Sequence, residues 1–412
     1  MSEHTGATTT EEPTKLSATS RGTLLGAIFL MATSSIGPGF ITQTTTFTVE
    51  LGAAFAFAIL ISILVDIAIQ TNVWRVIGVS GRRAQELGNS VLPGLGWFMA
   101  GLLLIGGLVF NIGNVSGAGL GMNIMFDMGP KLGAVILAAL AFAIFLSKKA
   151  GMAMDRVVIL LGALMILLTL YVAITSGPPV ASALKNSVAP ETFSALAITT
   201  LIGGTIGGYI IYAGAHRLID AGITGPSRVK QLTNSAILGI LVTGLMRVIL
   251  FLAILGVIHA GATLDPKNMA ASAFEIAAGT VGYRLFGVVF AAAALTSVIG
   301  CSYTTITFLT SSTKTTPRLT GFLVAGFIAL SLVLYLVIGA APQELLVFAG
   351  AFNGILLPVG IGVIMWVAWR RRDLLKGYEY PKWLAAVGTA AWVLTIYLAI
   401  NSIQPAIDLV TG

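Results

Sequence analysis

The stretch Ser34–Phe40 reads SSIGPGF and interrupts a long apolar segment, and Gly203–Tyr209 (GGTIGGY) interrupts another. Proline has no backbone N–H to donate and glycine weakens a helix, so both stretches are predicted to break helices and to free backbone polar groups. At membrane depth, such groups are tolerated only where they line a cavity. The alternative is that the small residues serve close helix packing.

The composition makes lipid the solvent for most of the chain. Of 412 residues, 56% are hydrophobic and 9% are charged, whereas about 25% of residues are charged in a typical soluble domain. Bilayer spans need about 20 apolar residues each. The sequence predicts eleven transmembrane helices, at about 23–48, 51–74, 95–125, 132–147, 157–176, 193–215, 235–258, 285–310, 319–340, 345–369 and 383–402.

The positive charges alternate between loops. Of the 23 Lys and Arg residues, eighteen lie in the N-terminal tail and in alternate loops, four lie in or beside the intervening loops, and Arg247 lies within a span. Because cytoplasmic loops carry the excess of Lys and Arg, this pattern predicts a cytoplasmic N-terminus and an external C-terminus. It accounts for the net charge of +7 without nucleic-acid binding.

The reactive residue types exclude several functions. The lone cysteine, Cys301, cannot form a disulfide framework within one chain, and His4, His216 and His259 are too scattered for a metal cage. There is no nucleotide-binding motif and no Ser/His/Asp arrangement, so we expect neither an enzyme nor a bound cofactor. The expected surroundings are the lipid bilayer and a small-molecule substrate, with no obligatory protein partner.

The two interruptions fall in the first and sixth spans, which correspond in a five-plus-five inverted repeat. Broken helices at matching places are the sequence pointer to a transporter's midplane site, so the functional interpretation of the interruptions is favoured. The predicted organisation is a disordered cytoplasmic tail at 1–21, repeats at 22–177 and 192–369, and a final helix at 383–402.

Several motifs resemble the Nramp family of proton-coupled divalent-metal transporters, members of the LeuT-like (APC) superfamily. The spacing from Pro38 to Gln70, the loop Gly78–Arg82 (GVSGR) and the stretch Ala351–Pro358 (AFNGILLP) are similar to that family. The resemblance implies an all-α LeuT-like fold with eleven transmembrane helices, of which the first and sixth are broken.

The family's metal ligands are missing from the matching positions. A divalent cation usually needs a carboxylate to offset its charge, and none remains there. The resemblance therefore supports the fold and argues against the family's usual substrate. Gly37 and Phe40 replace the Asp and Asn of the family's DPGN motif, Gly207 and Tyr209 replace the Met and His of its MPH motif, and Asn111 and Asn114 replace an acidic pair on the third helix.

Arg247 lies about a dozen residues from either end of the seventh span, or roughly 18 Å from each surface. An arginine there costs at least ~2.5 kcal/mol, so a partner or a water-filled cavity is expected. One interpretation is a structural pair with Asp66 or with freed carbonyls. The other is a clamp for a substrate carboxylate, which a guanidinium can hold through two parallel hydrogen bonds.

The small residues at the interruptions leave room for a ligand larger than a bare ion, and half-helix N-termini favour a carboxylate. A coupled H⁺ or Na⁺ is an open possibility, with Asp66, Tyr209 and Glu50 as candidates to carry a proton. The predicted substrate-binding residues are Gly37, Phe40, Thr42, Gln43, Asn111, Asn114, Gly204, Thr205, Gly207, Gly208, Tyr209, Arg247 and Asn353.

The leading prediction is a secondary transporter for a small organic anion or zwitterion in the bacterial cytoplasmic membrane. The main alternative is transport of a divalent cation through carbonyls, amides and hydration water, and a receptor or channel is a third. The run Met31–Gln43 resembles an Nramp-like subgroup often encoded near bacterial 5-oxoprolinase components. That resemblance implies uptake of 5-oxoproline or a similar small carboxylate.

Overall fold

A computed structural model describes residues 35–146, 148–309, 317–339 and 341–411. This part of the chain folds into fourteen α-helices and two short 3₁₀ helices, Gly52–Ala54 and Pro226–Arg228. The α-helices are α1 (Pro38–Leu51), α2 (Phe55–Ser80), α3 (Ala84–Val91), α4 (Leu95–Phe126), α5 (Pro130–Leu146), α6 (Lys148–Thr175), α7 (Val180–Val188), α8 (Ala195–Ile206), α9 (Ile210–Asp220), α10 (Val229–His259), α11 (Met269–Leu309), α12 (Pro317–Ile338), α13 (Pro342–Arg370) and α14 (Lys382–Thr411).

Every predicted span from the second onward coincides with a helix or, for the sixth, with the pair α8 and α9. Of the first predicted span, residues 23–34 lie outside the described part of the chain, as does the predicted tail at 1–21. Eight apolar helical stretches of the described chain are long enough to cross a membrane, or nine if α6 and α7, bent by 105°, form one span.

The difference between this count and the predicted eleven has two physical sources. Helices α1 and α2 join through a 3₁₀ turn into one apolar stretch of 43 residues, which would reach about 65 Å and so exceeds a ~30 Å hydrocarbon core. Gly52, with φ +54°, turns the chain between them. Helix α5, the fourth predicted span, has only 17 residues and is the shortest of the spans.

Both predicted helix breaks are present. Ile36 and Gly37 form a bend just before α1, which we call the first break, and Gly207–Tyr209 form a turn between α8 and α9, the second break. Pro38 stands at the start of α1, where its missing N–H costs no hydrogen bond. Gly208 has φ +56°, a left-handed conformation that favours glycine.

Helices α4 and α13 carry the interior packing around the breaks. Helix α4 packs most extensively on α11 and also contacts α1, α5 and α13, while α8 lies against α13 and α2. At the α8–α13 crossing, a Cβ on Gly203 would overlap the backbone of Gly350 and Gly354. At Gly203, four residues before the second break, the small residue therefore serves close helix packing. This packing fixes the second break against α13.

Helix α2, which carries Asp66, extends beyond the predicted second span. The sequence places Asp66 near the cytoplasmic end of the second span, whose apolar run ends at 74. Helix α2 instead continues to Ser80, where Gly81 caps it in the left-handed conformation (φ +68°). Asp66 is therefore near the middle of a 26-residue helix.

Candidate functional site

The two breaks touch each other directly. The Ser35 hydroxyl, just before the first break, donates a hydrogen bond of 2.8 Å to the carbonyl oxygen of Thr205. Thr205 lies in the last turn of α8, where the second break ends the helix and leaves carbonyls without the usual intrahelical partner. The breaks in the two predicted repeats therefore form a single centre.

The first break lies in close contact with polar side chains of α4 and α11, and we call this contact the pocket at Gly37. A Cβ on Gly37 would lie 2.7 Å from Ser297 Oγ and 3.9 Å from Asn114 Oδ1. Ser297 is 3% exposed, and its hydroxyl has no hydrogen-bond partner among the described residues. No side chain caps the N-terminus of α1. The pocket therefore combines an uncapped helix N-terminus, a free hydroxyl and an amide.

The second break faces Asn353 of α13. The Asn353 amide nitrogen donates to the carbonyl oxygens of Gly106 (3.0 Å) and Ala349 (2.9 Å). Its amide oxygen has no partner in the described chain and lies where a Cβ on Gly208 would overlap it. Because the oxygen is free and the glycine is beside it, this point can accept a hydrogen bond from a ligand.

A small cavity of about 40 Å³ extends from this point toward the N-terminus of α4, the cytoplasmic side in the predicted orientation. The cavity is much smaller than typical small-molecule sites, which measure about 300–1,000 Å³. The walls here include Gly208 and Asn353 at the inner end and Met99, Leu103, Tyr212 and Phe308 farther out.

Tyr209, predicted as a substrate-binding and proton-coupling residue, is buried beside the second break. Its phenol lies within hydrogen-bonding reach of the Cys301 thiol on α11. Its ring meets Phe110 of α4 edge to face, with centroids 6.0 Å apart. Tyr209 therefore joins the second break to α4 and α11.

Gln43 and Gly204 form a separate packed layer. Gln43 is fully buried, and its amide nitrogen donates to the carbonyl oxygen of Leu346 at 2.9 Å. A Cβ on Gly204 would overlap Gln43 Oε1, and one on Gly350 would overlap its amide nitrogen. The glycine at 204 thus makes room for the Gln43 side chain.

The expected space at Gly207 is also taken. A Cβ there would overlap the carbonyl of Gly203, one turn earlier in α8. Gly37 and Gly208, also expected to leave room for a ligand, lie tightly against Ser297 and Asn353 of other helices, whereas Gly207 accommodates the end of its own helix.

Arg247 lies beside Phe40 and opposite Asp66. Its guanidinium is 4.3 Å from the centroid of the Phe40 ring, and Nη1 donates to the carbonyl oxygen of Leu201 at 3.4 Å. Its Nε and Nη2 atoms have no partner among the described residues. The contact with a carbonyl and the facing Asp66 agree with a structural pair. Nε and Nη2 remain available to a substrate carboxylate, as a clamp would require.

Two predicted residues, Asn111 and Glu50, are not brought to the breaks. The Asn111 amide nitrogen donates to Ser302 (3.0 Å) and Ser331 (2.9 Å), so this side chain ties α4 to α11 and α12. Glu50 is exposed near the end of α1, roughly 18 Å along the helix from Pro38. Thr42 is buried on α1, one turn beyond Pro38.

The structure adds residues that the sequence did not single out as site residues. Ser35 lay within the quoted stretch and Phe110 directly precedes Asn111, so both had a local signal. Ser297 and Cys301 lie in an apolar span without a motif. Only the packing of α11 against α1 and α4 shows that they face the centre.

In the described part of the chain, no three His, Cys, Asp or Glu side chains group together as a metal site would need. Asp66 is the sole buried acidic side chain there. It faces Arg247 and the Thr205 hydroxyl, on α10 and α8.

The chain has close relatives among bacterial membrane proteins. It is 49% identical over 380 residues to the uncharacterized membrane protein YcsG of Bacillus subtilis, covering 92% of this chain and 94% of the relative. It is 48% identical over 392 residues to an uncharacterized membrane protein of Haemophilus influenzae, covering 95% and 98%.

Solved structures with the same fold include transporters. The manganese transporter of Eremococcus coleocola, in complex with an aromatic bis-isothiourea substituted compound, superposes with a TM-score of 0.75 at 16% identity, covering 95% of this chain and 89% of that one. MhsT in complex with L-phenylalanine gives 0.67 at 17% identity, covering 92% and 98%. At such identities the likeness establishes the fold, which is LeuT-like.

The model of the Natural resistance-associated macrophage protein-like family matches residues 28–404. That range includes both breaks and all the predicted site residues. The chain therefore belongs to the Nramp family, and it is a membrane transporter with a LeuT-like fold.

Proposed function

We propose that the protein is a secondary transporter that moves a small organic carboxylate, such as 5-oxoproline, by alternating access around α1 and the α8–α9 pair. The observation that carries this proposal is the pocket at Gly37. It presents an uncapped helix N-terminus and the free Ser297 hydroxyl, with the amide oxygen of Asn114 nearby.

The N-terminus of α1 suits a carboxylate for two reasons. Its first intrahelical bond runs from the Ile41 N–H to the Gly37 carbonyl, so the N–H groups of Gly39 and Phe40 precede the helical ladder and are available to an anion. The helix dipole adds partial positive charge, worth about 0.3–1 kcal/mol when exposed and up to ~2 kcal/mol when partly buried. A carboxylate at Gly37 gains from both.

The same pocket is poorly suited to a divalent cation. Its side-chain groups, a hydroxyl and an amide, are neutral, and the helix N-terminus repels positive charge. The sole buried carboxylate of the described chain, Asp66, is faced by the Arg247 cation. A hard cation usually requires carboxylate ligands.

5-Oxoproline matches the polar groups in kind. Its carboxylate needs donors, which the α1 N-terminus and Ser297 supply. The resemblance to an Nramp-like subgroup often encoded near bacterial 5-oxoprolinase components supports the same substrate.

A divalent cation is the second candidate. Its support is the likeness to the Eremococcus coleocola manganese transporter and the unpartnered amide oxygens of Gln43 and Asn353, which are hard ligands. A hydrated magnesium ion keeps most of its waters and needs few protein ligands.

The expected effect of Gly37→Ala tests the carboxylate pocket. The added methyl would lie 2.7 Å from Ser297 Oγ, so it occupies the pocket, while the extended backbone at Gly37 (φ −108°) accepts any residue. We expect uptake of labelled 5-oxoproline into proteoliposomes to fall about tenfold or more, equivalent to about 1.4 kcal/mol of binding.

The matched control is Gly300→Ala on α11, close to Ser297 in sequence, where an added methyl meets open space. We expect wild-type uptake from this variant and similar melting temperatures for both. Equal uptake by the Gly37→Ala and Gly300→Ala variants would reject the pocket at Gly37 as the carboxylate site.

A further inference from the structure

A small cavity lies between α2, α8 and α10. It has room for roughly one water molecule. Two buried charges face each other across it, Asp66 at 1% and Arg247 at 2% exposure. The walls include Ser62, Asp66, Thr205, Thr243, Gly244 and Arg247.

The two charges are incompletely satisfied. Asp66 Oδ1 and Arg247 Nε and Nη2 have no hydrogen-bond partner among the described residues. A buried ion pair serves stability only when its geometry is good and its remaining lone pairs and protons are satisfied. A pair with open positions on both members is therefore better explained by a site whose occupancy changes than by a structural tie.

The cavity contacts both helices that break. Thr205, whose hydroxyl faces Asp66, is two residues before the second break, and its carbonyl accepts the hydrogen bond from Ser35 at the first break. On the other side, the Arg247 guanidinium stacks on Phe40, the third residue of α1. A change of charge in the cavity therefore acts on α1 and α8 through direct contacts.

We propose that Asp66 is the proton-binding site that couples proton movement to substrate movement, with Arg247 as its fixed counter-charge. The proposal rests on the proposed function for the charge of the substrate. Without substrate, the negative Asp66 and the positive Arg247 balance. A substrate carboxylate adds a second negative charge in a region of low dielectric, where uncompensated charge is costly.

Protonation of Asp66 removes the excess negative charge that the substrate carboxylate brings. The proton adds to the unpartnered Oδ1 and forms an O–H bond, and Arg247 then compensates the substrate anion. After the site opens to the other side, the same O–H bond breaks and the proton leaves with the substrate. One proton therefore moves with each monoanion.

The charged environment of Asp66 is simple. On α2 itself the cavity presents Ser62, from α8 Thr205, and from α10 Thr243 and Arg247. Among the described residues, Arg247 is the one charged or titratable group that faces Asp66. The proton affinity of Asp66 is therefore governed by Arg247 and by burial.

The transport test compares Asp66→Asn with the wild type in proteoliposomes. We expect the variant to retain exchange of labelled for unlabelled 5-oxoproline and to lose accumulation driven by an inward proton gradient, together with the accompanying acidification of the lumen. Thr71→Val is the control, because it changes another buried α2 residue, with an unpartnered hydroxyl, that does not line the cavity. It should keep both activities.

Infrared spectroscopy of the purified protein in lipid tests the proton site without any substrate. We expect the absorption of a protonated carboxyl group to rise as the pH falls in the wild type, to be lost in Asp66→Asn and to shift in frequency in Asp66→Glu. The glutamate variant keeps a titratable carboxyl group, so it identifies the band even if the asparagine variant does not fold.

Gradient-driven accumulation by Asp66→Asn at the wild-type level would overturn the proposal, as would the absence of any Asp66-dependent band that titrates. Failure of every variant, including the wild type, to exchange 5-oxoproline would instead reject the proposed substrate. The infrared titration would then still decide whether Asp66 binds the proton.

Discussion

Gly203→Ala is expected to destabilise the protein by about 3 kcal/mol, at the upper end of what overpacking usually costs. The added methyl would overlap the carbonyl oxygen of Gly350 and the nitrogen of Gly354. Both are backbone atoms of α13 and cannot rotate away, so α8 and α13 must separate. Since the second break begins four residues later, the separation also displaces Gly207 and Gly208.

Thermal unfolding of the purified protein measures this effect. The control is Gly101→Ala on α4, where an added methyl meets open space. This control should melt with the wild type or slightly above it, because alanine favours helix over glycine by about 1 kcal/mol. If Gly203→Ala also melted with the wild type, the close α8–α13 crossing would be wrong.

Arg247→Met is expected to have a comparably large effect. The change leaves Asp66 buried opposite an apolar side chain, and removal of one partner from a buried charge pair typically costs about 3–5 kcal/mol. Asp66→Asn in the same chain removes the orphaned charge. The double variant should therefore be more stable than Arg247→Met alone.

A double-mutant cycle of thermal unfolding midpoints tests this coupling. A second cycle that pairs Arg247→Met with Thr71→Val serves as control, since Thr71 does not line the Asp66–Arg247 cavity, and its effects should add. Additive effects of Arg247→Met and Asp66→Asn would show that the two charges do not interact.

The positions of the breaks could be predicted because their causes are local. Pro38 has no N–H and Gly208 adopts a left-handed φ, and both properties belong to the residue type. The end of α2 had a local signal too. Gly81 caps the helix seven residues after the apolar run ends, and this cap gives the end of α2 better than hydropathy does.

The direction of each polar side chain could not be predicted in the same way. Asn111 and Asn114 are both buried on α4 and lie within one turn of each other, yet Asn111 bonds to Ser302 and Ser331 while Asn114 lies near Gly37. Ser297 is 260 residues from Gly37 in sequence, so no local pattern connects them. Such pairings depend on how distant helices cross, which periodicity does not encode.

The neighbour that each glycine faces could not be predicted from the sequence either. Gly37, Gly204, Gly207 and Gly208 all appear as small residues at or near the interruptions. In the folded chain, Gly204 admits Gln43 and Gly207 accommodates its own helix, while Gly37 and Gly208 face Ser297 and Asn353. A count of small residues therefore overestimates the space available to a ligand.

Calorimetric titration of the purified protein with 5-oxoproline and with manganese is the most direct test of whether this Nramp scaffold binds a carboxylate at its centre. Glutamate, proline and magnesium serve as comparison ligands. We expect saturable binding of 5-oxoproline, weakened by Gly37→Ala and unchanged by Gly300→Ala, and no saturable binding of manganese. Saturable binding of manganese without a response to any carboxylate would contradict this expectation.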